Sequence, residues 1–158
     1  MTHPAQAVAP DADAQSATTA IGRELAARDL YDKAIAAGAA DAIWVALREQ
    51  HESSAQRLAG IVGVSANTAD AELVGELEGA FAVSDPTEAA IELENTLAAE
   101  NSTMMSELVG ESSSTTELAS ALASIVTAQA RQATVLALLG GETDPEVLYV
   151  NPTSEAGA

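Results

Sequence analysis

Four stretches of this chain repeat apolar residues at intervals of three and four, and each ends at glycine: Gly38, Gly63, Gly110 and the Gly140-Gly141 pair. That spacing lines up apolar side chains on one face of a helix. Glycine stops a helix because it accepts the left-handed conformation that a C-terminal cap needs. The first helix is expected from Thr18 to Ala37, with Thr18 or Thr19 as its cap. The second follows Asp41, a good N-cap, and runs to Gly63. The third starts at Ser84-Asp85-Pro86, where Asp85 caps and Pro86 enters the first turn, and ends at Gly110. The fourth follows Ser112-Ser113-Ser114-Thr115 and runs to Gly140.

The connections restrict how these helices pack. About three residues join the first helix to the second, and Gly110 to Ser114 join the third to the fourth, so each pair should be antiparallel neighbours. Val64 to Ser84 is far longer and has room for a short helix around Ala71 to Phe81. The expected fold is all-α: an up-down four-helix bundle over residues 18–140, with a long crossover between its second and third helices. Residues 1–17, aperiodic and built largely from Ala, Pro, Asp and Gln, read as a disordered arm, and 141–158 as an irregular tail. Val147, Leu148, Tyr149 and Val150 are expected to tuck back onto the bundle.

Hydrophobic residues make up 47% of the chain and aromatics 3%, so the core must be built from Ala, Leu, Ile and Val. The net charge of -18 argues against nucleic acid and anionic membrane surfaces, which need Lys and Arg. With no Cys, disulfides, thiolate metal sites and Cys nucleophiles are excluded. No run of about 18 apolar residues is visible, so no membrane-spanning helix is expected. Met1 to Ala20 lacks a basic start and a Leu-rich stretch and does not read as a signal peptide. The default expectation is a cytoplasmic chain, with an exported mature form as the alternative.

Each apolar stripe carries a polar interruption. In the fourth helix Leu118, Leu122, Ile125, Leu136 and Leu139 share a face with Gln129 and Gln132. In the second, His51 falls inside the stripe of Trp44, Leu47, Leu58 and Val62, with Arg48 beside it. The first carries Ile21, Leu25, Tyr31 and Ile35, with Glu24 on the inward side. The third carries Ala90, Leu93, Leu97, Met104 and Leu108, bordered by Glu94 and interrupted by Glu100. One such residue reads as an ordinary boundary polar group. Four helices doing this together point to buried groups that satisfy one another. Counted back from the turn, Gln129 and Gln132 should face Glu92 to Glu94, with Glu100 nearer the turn.

These patterns resemble bacterioferritin and the wider ferritin-like superfamily, especially the small bacterial members with Ala-rich helices. Glu24-Leu-Ala-Ala-Arg-Asp-Leu-Tyr31 is similar to the family's first-helix pattern, a ligand Glu with a Tyr seven residues on. Arg48-Glu-Gln-His51 stands where the family has Glu-x-x-His, with Arg48 in the Glu position. Ala90-Ile91-Glu92-Leu93 resembles the Glu-bearing segment of the third helix, and Gln129-Ala-Arg-Gln132 stands where a second Glu-x-x-His would be. The resemblance covers residues 18–140. It implies a metal set of Glu24, His51, Glu92 and Glu94, with Tyr31, Arg48, Gln129 and Gln132 beside it.

A di-iron site needs about four carboxylates and two His, and this set falls short of that. Two readings follow. One is a non-catalytic domain with an eroded di-iron site and a structural or interaction role. In it Arg48 replaces the metal by pairing with Glu24 and a third-helix carboxylate, while the Gln129 and Gln132 amides complete the network. The other is a mononuclear iron or manganese site with ferroxidase or peroxide-handling activity. The direction of Arg48 separates them. A homodimer and an unidentified protein partner are the expected associations. Other enzyme chemistry finds no support: Ser112 to Ser114 have no His placed to activate them, His3 lies in the arm, and Gly140-Gly141 closes a helix rather than opening a phosphate loop.

Overall fold

The computed structural model describes residues 11–149, and they are all-α. The helices are α1 (Asp11–Ala36), α2 (Ala42–Val62), α3 (Ala71–Phe81), α4 (Thr87–Ser106), α5 (Ser113–Leu139) and α6 (Pro145–Tyr149). The expected caps operate only in part. Asp41 stands at the N-cap of α2 without a side-chain capping bond, and Gly63 ends that helix with φ 72°. Thr18 and Thr19 lie inside α1, and α4 stops at Ser106, short of Gly110. Asp70 caps α3 by accepting from the Glu72 and Leu73 N–H groups, both at 3.1 Å. Ser112 caps α5 by accepting from Thr115 N–H at 3.2 Å. Pro86 sits at the N-cap of α4 rather than inside it, while Asp85 accepts from the Thr87 N–H at 3.3 Å and its hydroxyl at 2.6 Å.

α1 packs along α2, and α4 along α5, as two helical hairpins. The hairpins meet through α2 against α5 and α1 against α4, and α3 lies on α1 and α4. The buried apolar residues form two groups. One holds Ile21, Leu25, Leu58, Met104, Leu118, Leu122 and Ile125 with alanines. The other holds Leu30, Tyr31, Trp44, Leu47, Phe81, Leu93, Leu97 and Leu136. In α2, α4 and α5 the helix passes from one group to the other at a buried polar residue: His51, Asn101 and Gln129 respectively. Leu139, expected on the buried stripe, is 63% exposed.

Two sequence expectations change. The first helix begins at Asp11 rather than Thr18, so Asp11 to Ala17 are helical and not part of a disordered arm. The reason is Asp13, which is buried. Its carboxylate accepts from the N–H groups of Val109 and Gly110, both at 3.0 Å, and from the Thr115 hydroxyl at 2.9 Å. These bonds dock the first turns of α1 onto the turn between α4 and α5. They also hold the Asp13 pKa below its ordinary value, the Val109 bond most of all. Replacing Asp13 with Ala leaves three donors without their acceptor and is expected to cost about 1–3 kcal/mol. Thermal unfolding reads this directly; an unchanged midpoint would mean that these turns are not docked. Residues 1–10, including His3, and 150–158 lie outside the described residues.

The second change concerns α5. By length and composition it is the one helix among the described residues long and apolar enough to cross a membrane. No uninterrupted run shows in the sequence because Ser and Thr, with Glu117, Gln129, Arg131 and Gln132, break up its apolar residues. Here α5 packs against α4 and α2, and its buried face carries Gln129. Of the tail, Thr134 Oγ1 donates to Leu148 O at 3.3 Å, while Val147 is exposed.

Candidate functional site

At the level where the two apolar groups meet, the polar interruptions close on one another. His51 is delivered by the buried face of α2, in register with Trp44, Leu47 and Leu58. Its Nδ1 lies 2.8 Å from Glu24 Oε2 of α1, and its Nε2 lies 2.9 Å from Glu94 Oε1 of α4. Glu94 Oε1 also accepts from the Tyr31 hydroxyl at 2.6 Å. On the other side, Glu24 Oε1 accepts from Gln129 Nε2 at 2.8 Å and from Asn101 Nδ2 at 3.1 Å. Asn101 Nδ2 also donates to Gln129 Oε1 at 3.1 Å. The Tyr31 ring stacks on the imidazole, centroids 5.5 Å apart and 18° between planes, and Phe81 meets Tyr31 edge-on. None of Glu24, Tyr31, His51, Glu94, Asn101 and Gln129 is more than 1% exposed.

Hydrogen-bond arithmetic fixes the state of His51. Both ring nitrogens face carboxylate oxygens, which only accept, so both must carry a proton. Burial pulls the imidazole pKa down. The Glu94 charge, hydrogen bonds to Glu24 and Glu94, and the Glu24 charge more than reverse this and push it up to about 10. Burial, the Glu94 charge and the bond to Glu94 push the Tyr31 phenol well above its ordinary range. A buried imidazolium between two carboxylates, held by amides and a phenol, is a charge relay that ties α1, α2, α4 and α5 together.

The sequence-derived set is only partly assembled. Glu24, His51, Glu94, Tyr31 and Gln129 come together. Glu92 does not: it is exposed, because two residues along a helix turn a side chain about 200° away from Glu94. Gln132 stays outside the relay, with its buried Oε1 lacking a hydrogen-bond partner. Glu100 pairs with Arg23 at 3.2 Å in a partly exposed ion pair. Arg48 corrects the most specific expectation. Its guanidinium turns outward to Asp32 at 3.1 Å and to Glu52, and makes no bond to Glu24 or Glu94. The cation of the expected ion-pair network is present, but it is His51. Replacing Arg48 with Ala is therefore expected to change stability by under about 1 kcal/mol. A urea-midpoint loss near 3 kcal/mol would return the guanidinium to the centre.

Sequence reasoning missed Asn101. It stands between Leu97 and Met104 on the third-helix stripe, so the same spacing argument that found His51 points to it.

The residues do not fit the di-metal centre that the ferritin resemblance implies. The two carboxylates lie across the imidazole ring from one another, each holding one of its nitrogens, so the three donors do not converge on one point. Gln129 turns its N–H toward Glu24, which is the behaviour of a donor and not of a metal ligand. Among the described residues no group of three or more His, Asp or Glu has a metal-holding arrangement. Within the centre itself, Glu94 Oε2 is buried with no hydrogen-bond partner.

The chain matches no protein-family profile, no curated protein and no solved structure.

Proposed function

We propose that α1, α2, α4 and α5 form a ferritin-like four-helix bundle whose centre is a charge relay without metal, and that its role is structural or interactive rather than catalytic. The observation that carries this reading is the engagement of both His51 ring nitrogens by Glu24 and Glu94. A metal ligated by His51 must first displace one of those carboxylates and take the place of a proton. The order of the helix pairs and the crossover through α3 support the bundle. The positions of the Glu24, His51 and Gln129 interruptions support the family resemblance.

A competing reading, a single iron or manganese ion bound at the same place, draws on the unpartnered Glu94 Oε2. Untagged protein incubated anaerobically with Fe(II), Mn(II) or Zn(II) and then desalted decides between the two by elemental analysis. The expected result is no retained metal, in wild type and in a His51→Ala variant alike. About one equivalent retained by wild type and lost in the variant would overturn the metal-free reading and justify oxidase assays.

A further inference from the structure

We infer that the buried polar belt selects one docking register between the two helical hairpins, a choice the apolar core by itself leaves open. The inference rests on contacts and holds whether or not a metal ever enters the centre. Among the described residues, twelve of the twenty-seven buried apolar ones are Ala. Such small side chains leave shallow ridges, and large apolar residues recur one turn apart at Ile21 and Leu25, Leu93 and Leu97, and Leu118 and Leu122. Within each hairpin the short turn fixes the register. Between hairpins the connection runs through residues 63–86; α3 is held on α1 by the Asp70 N–H bond to Gly22 O at 2.8 Å and by buried Phe81, so a shift between hairpins would fall on residues 82–86.

The hydrogen bonds of the belt are placed where that freedom lies. Four of its six side-chain bonds cross between hairpins: Tyr31 to Glu94, His51 to Glu94, Asn101 to Glu24 and Gln129 to Glu24. The bonds from Val109, Gly110 and Thr115 to Asp13 also cross, at the end of the molecule where α4 turns into α5. A slip of one turn, about 5.4 Å, keeps apolar against apolar but breaks all four belt bonds and strands two carboxylates in the core. The belt thus penalises every register but one, as single buried polar residues do in coiled coils.

The test removes the belt and asks what order survives. A Glu24→Met, Tyr31→Phe, His51→Leu, Glu94→Met, Asn101→Leu, Gln129→Met protein keeps the volume and loses the bonds. The expected result is retained helical circular dichroism with loss of uniqueness: several sets of amide cross-peaks, or a mixture of monomer and hairpin-exchanged dimer by sedimentation. A single wild-type-like set of inter-hairpin NOEs, with wild-type sedimentation, overturns the inference. Should this protein lack helical structure, a Glu24→Gln, His51→Gln, Glu94→Gln protein takes its place, since amides can re-form the cross-hairpin bonds without charge. A single native register there supports the inference. An unfolded chain there shows that the belt is needed for folding itself and overturns it.

Discussion

Replacing His51 with Ala is expected to destabilise the fold by about 3–5 kcal/mol, the largest effect of any single side chain in the belt. The substitution removes the only cation between Glu24 and Glu94 and leaves two carboxylates facing each other with almost no exposure. Glu24 keeps the Asn101 and Gln129 amides and Glu94 keeps the Tyr31 hydroxyl, so the cost is that of unpaired charge and a cavity rather than of every bond at once. Urea unfolding at neutral pH measures it through the midpoint at constant slope. A Glu24→Gln, His51→Leu, Glu94→Gln protein should regain most of the loss, because no buried charge is left to compensate. A His51→Ala protein within about 1 kcal/mol of wild type would show that the imidazolium does not hold the centre.

Stability should also fall steeply on the alkaline side. His51 titrates near 6.5 when unperturbed and near 10 in the fold, so its pKa is raised on folding. Below pH 6.5 both folded and unfolded chains hold the proton and the contribution is complete. Between 6.5 and 10 the unfolded chain gives the proton up while the folded one keeps it, and stability falls by up to about 1.4 kcal/mol per pH unit. Above pH 10 the contribution is gone. The groups facing the ring are Glu24 and Tyr31 from α1 and Glu94 from α4, while α5 presents the neutral Gln129. Unfolding midpoints across this range, compared with those of the His51→Leu, Glu24→Gln, Glu94→Gln protein, isolate the His51 slope; parallel curves would refute it. On the acid side Asp13 acts with the opposite sign. Its lowered pKa gives a contribution that is complete above pH 3.8 and lost as pH falls through the folded value.

Local signals carried most of the fold. The cap positions Asp41 and Ser112 and the stop at Gly63 sit where the chain turns. The crossover helix matches the stretch from Ala71 to Phe81 because Asp70 caps it and Phe81 is drawn into the core. The start of α1 was not legible, since the partners of Asp13 lie about a hundred residues away and no neighbouring residue announces them. The site followed the same division. His51, Glu24 and Gln129 stand where apolar spacing demands Leu and are in the belt. The family pattern points to Glu92, which is exposed; the stripe is bordered by Glu94, which is buried, and interrupted by Glu100, which instead pairs with Arg23 in a partly exposed ion pair. Arg48 misled because its long stem reaches past the boundary to solvent-facing carboxylates. Glu52, one turn further along the same helix, was the available sign of that direction.

The burial of Asn101 has a consequence for how such a chain is made. Asn101, Ser102 and Thr103 spell the acceptor triplet for N-linked sugar. The nitrogen that would carry the glycan is the one that bonds Glu24 and Gln129 at 1% exposure. In a compartment that holds the transferase, sugar attachment and closure of the helices exclude each other. A chain that closes first is no longer a substrate, and a chain glycosylated first has no room for the sugar between α1 and α5. Expression in a eukaryotic secretory pathway would therefore turn the speed of hairpin docking into the ratio of bare to glycosylated product.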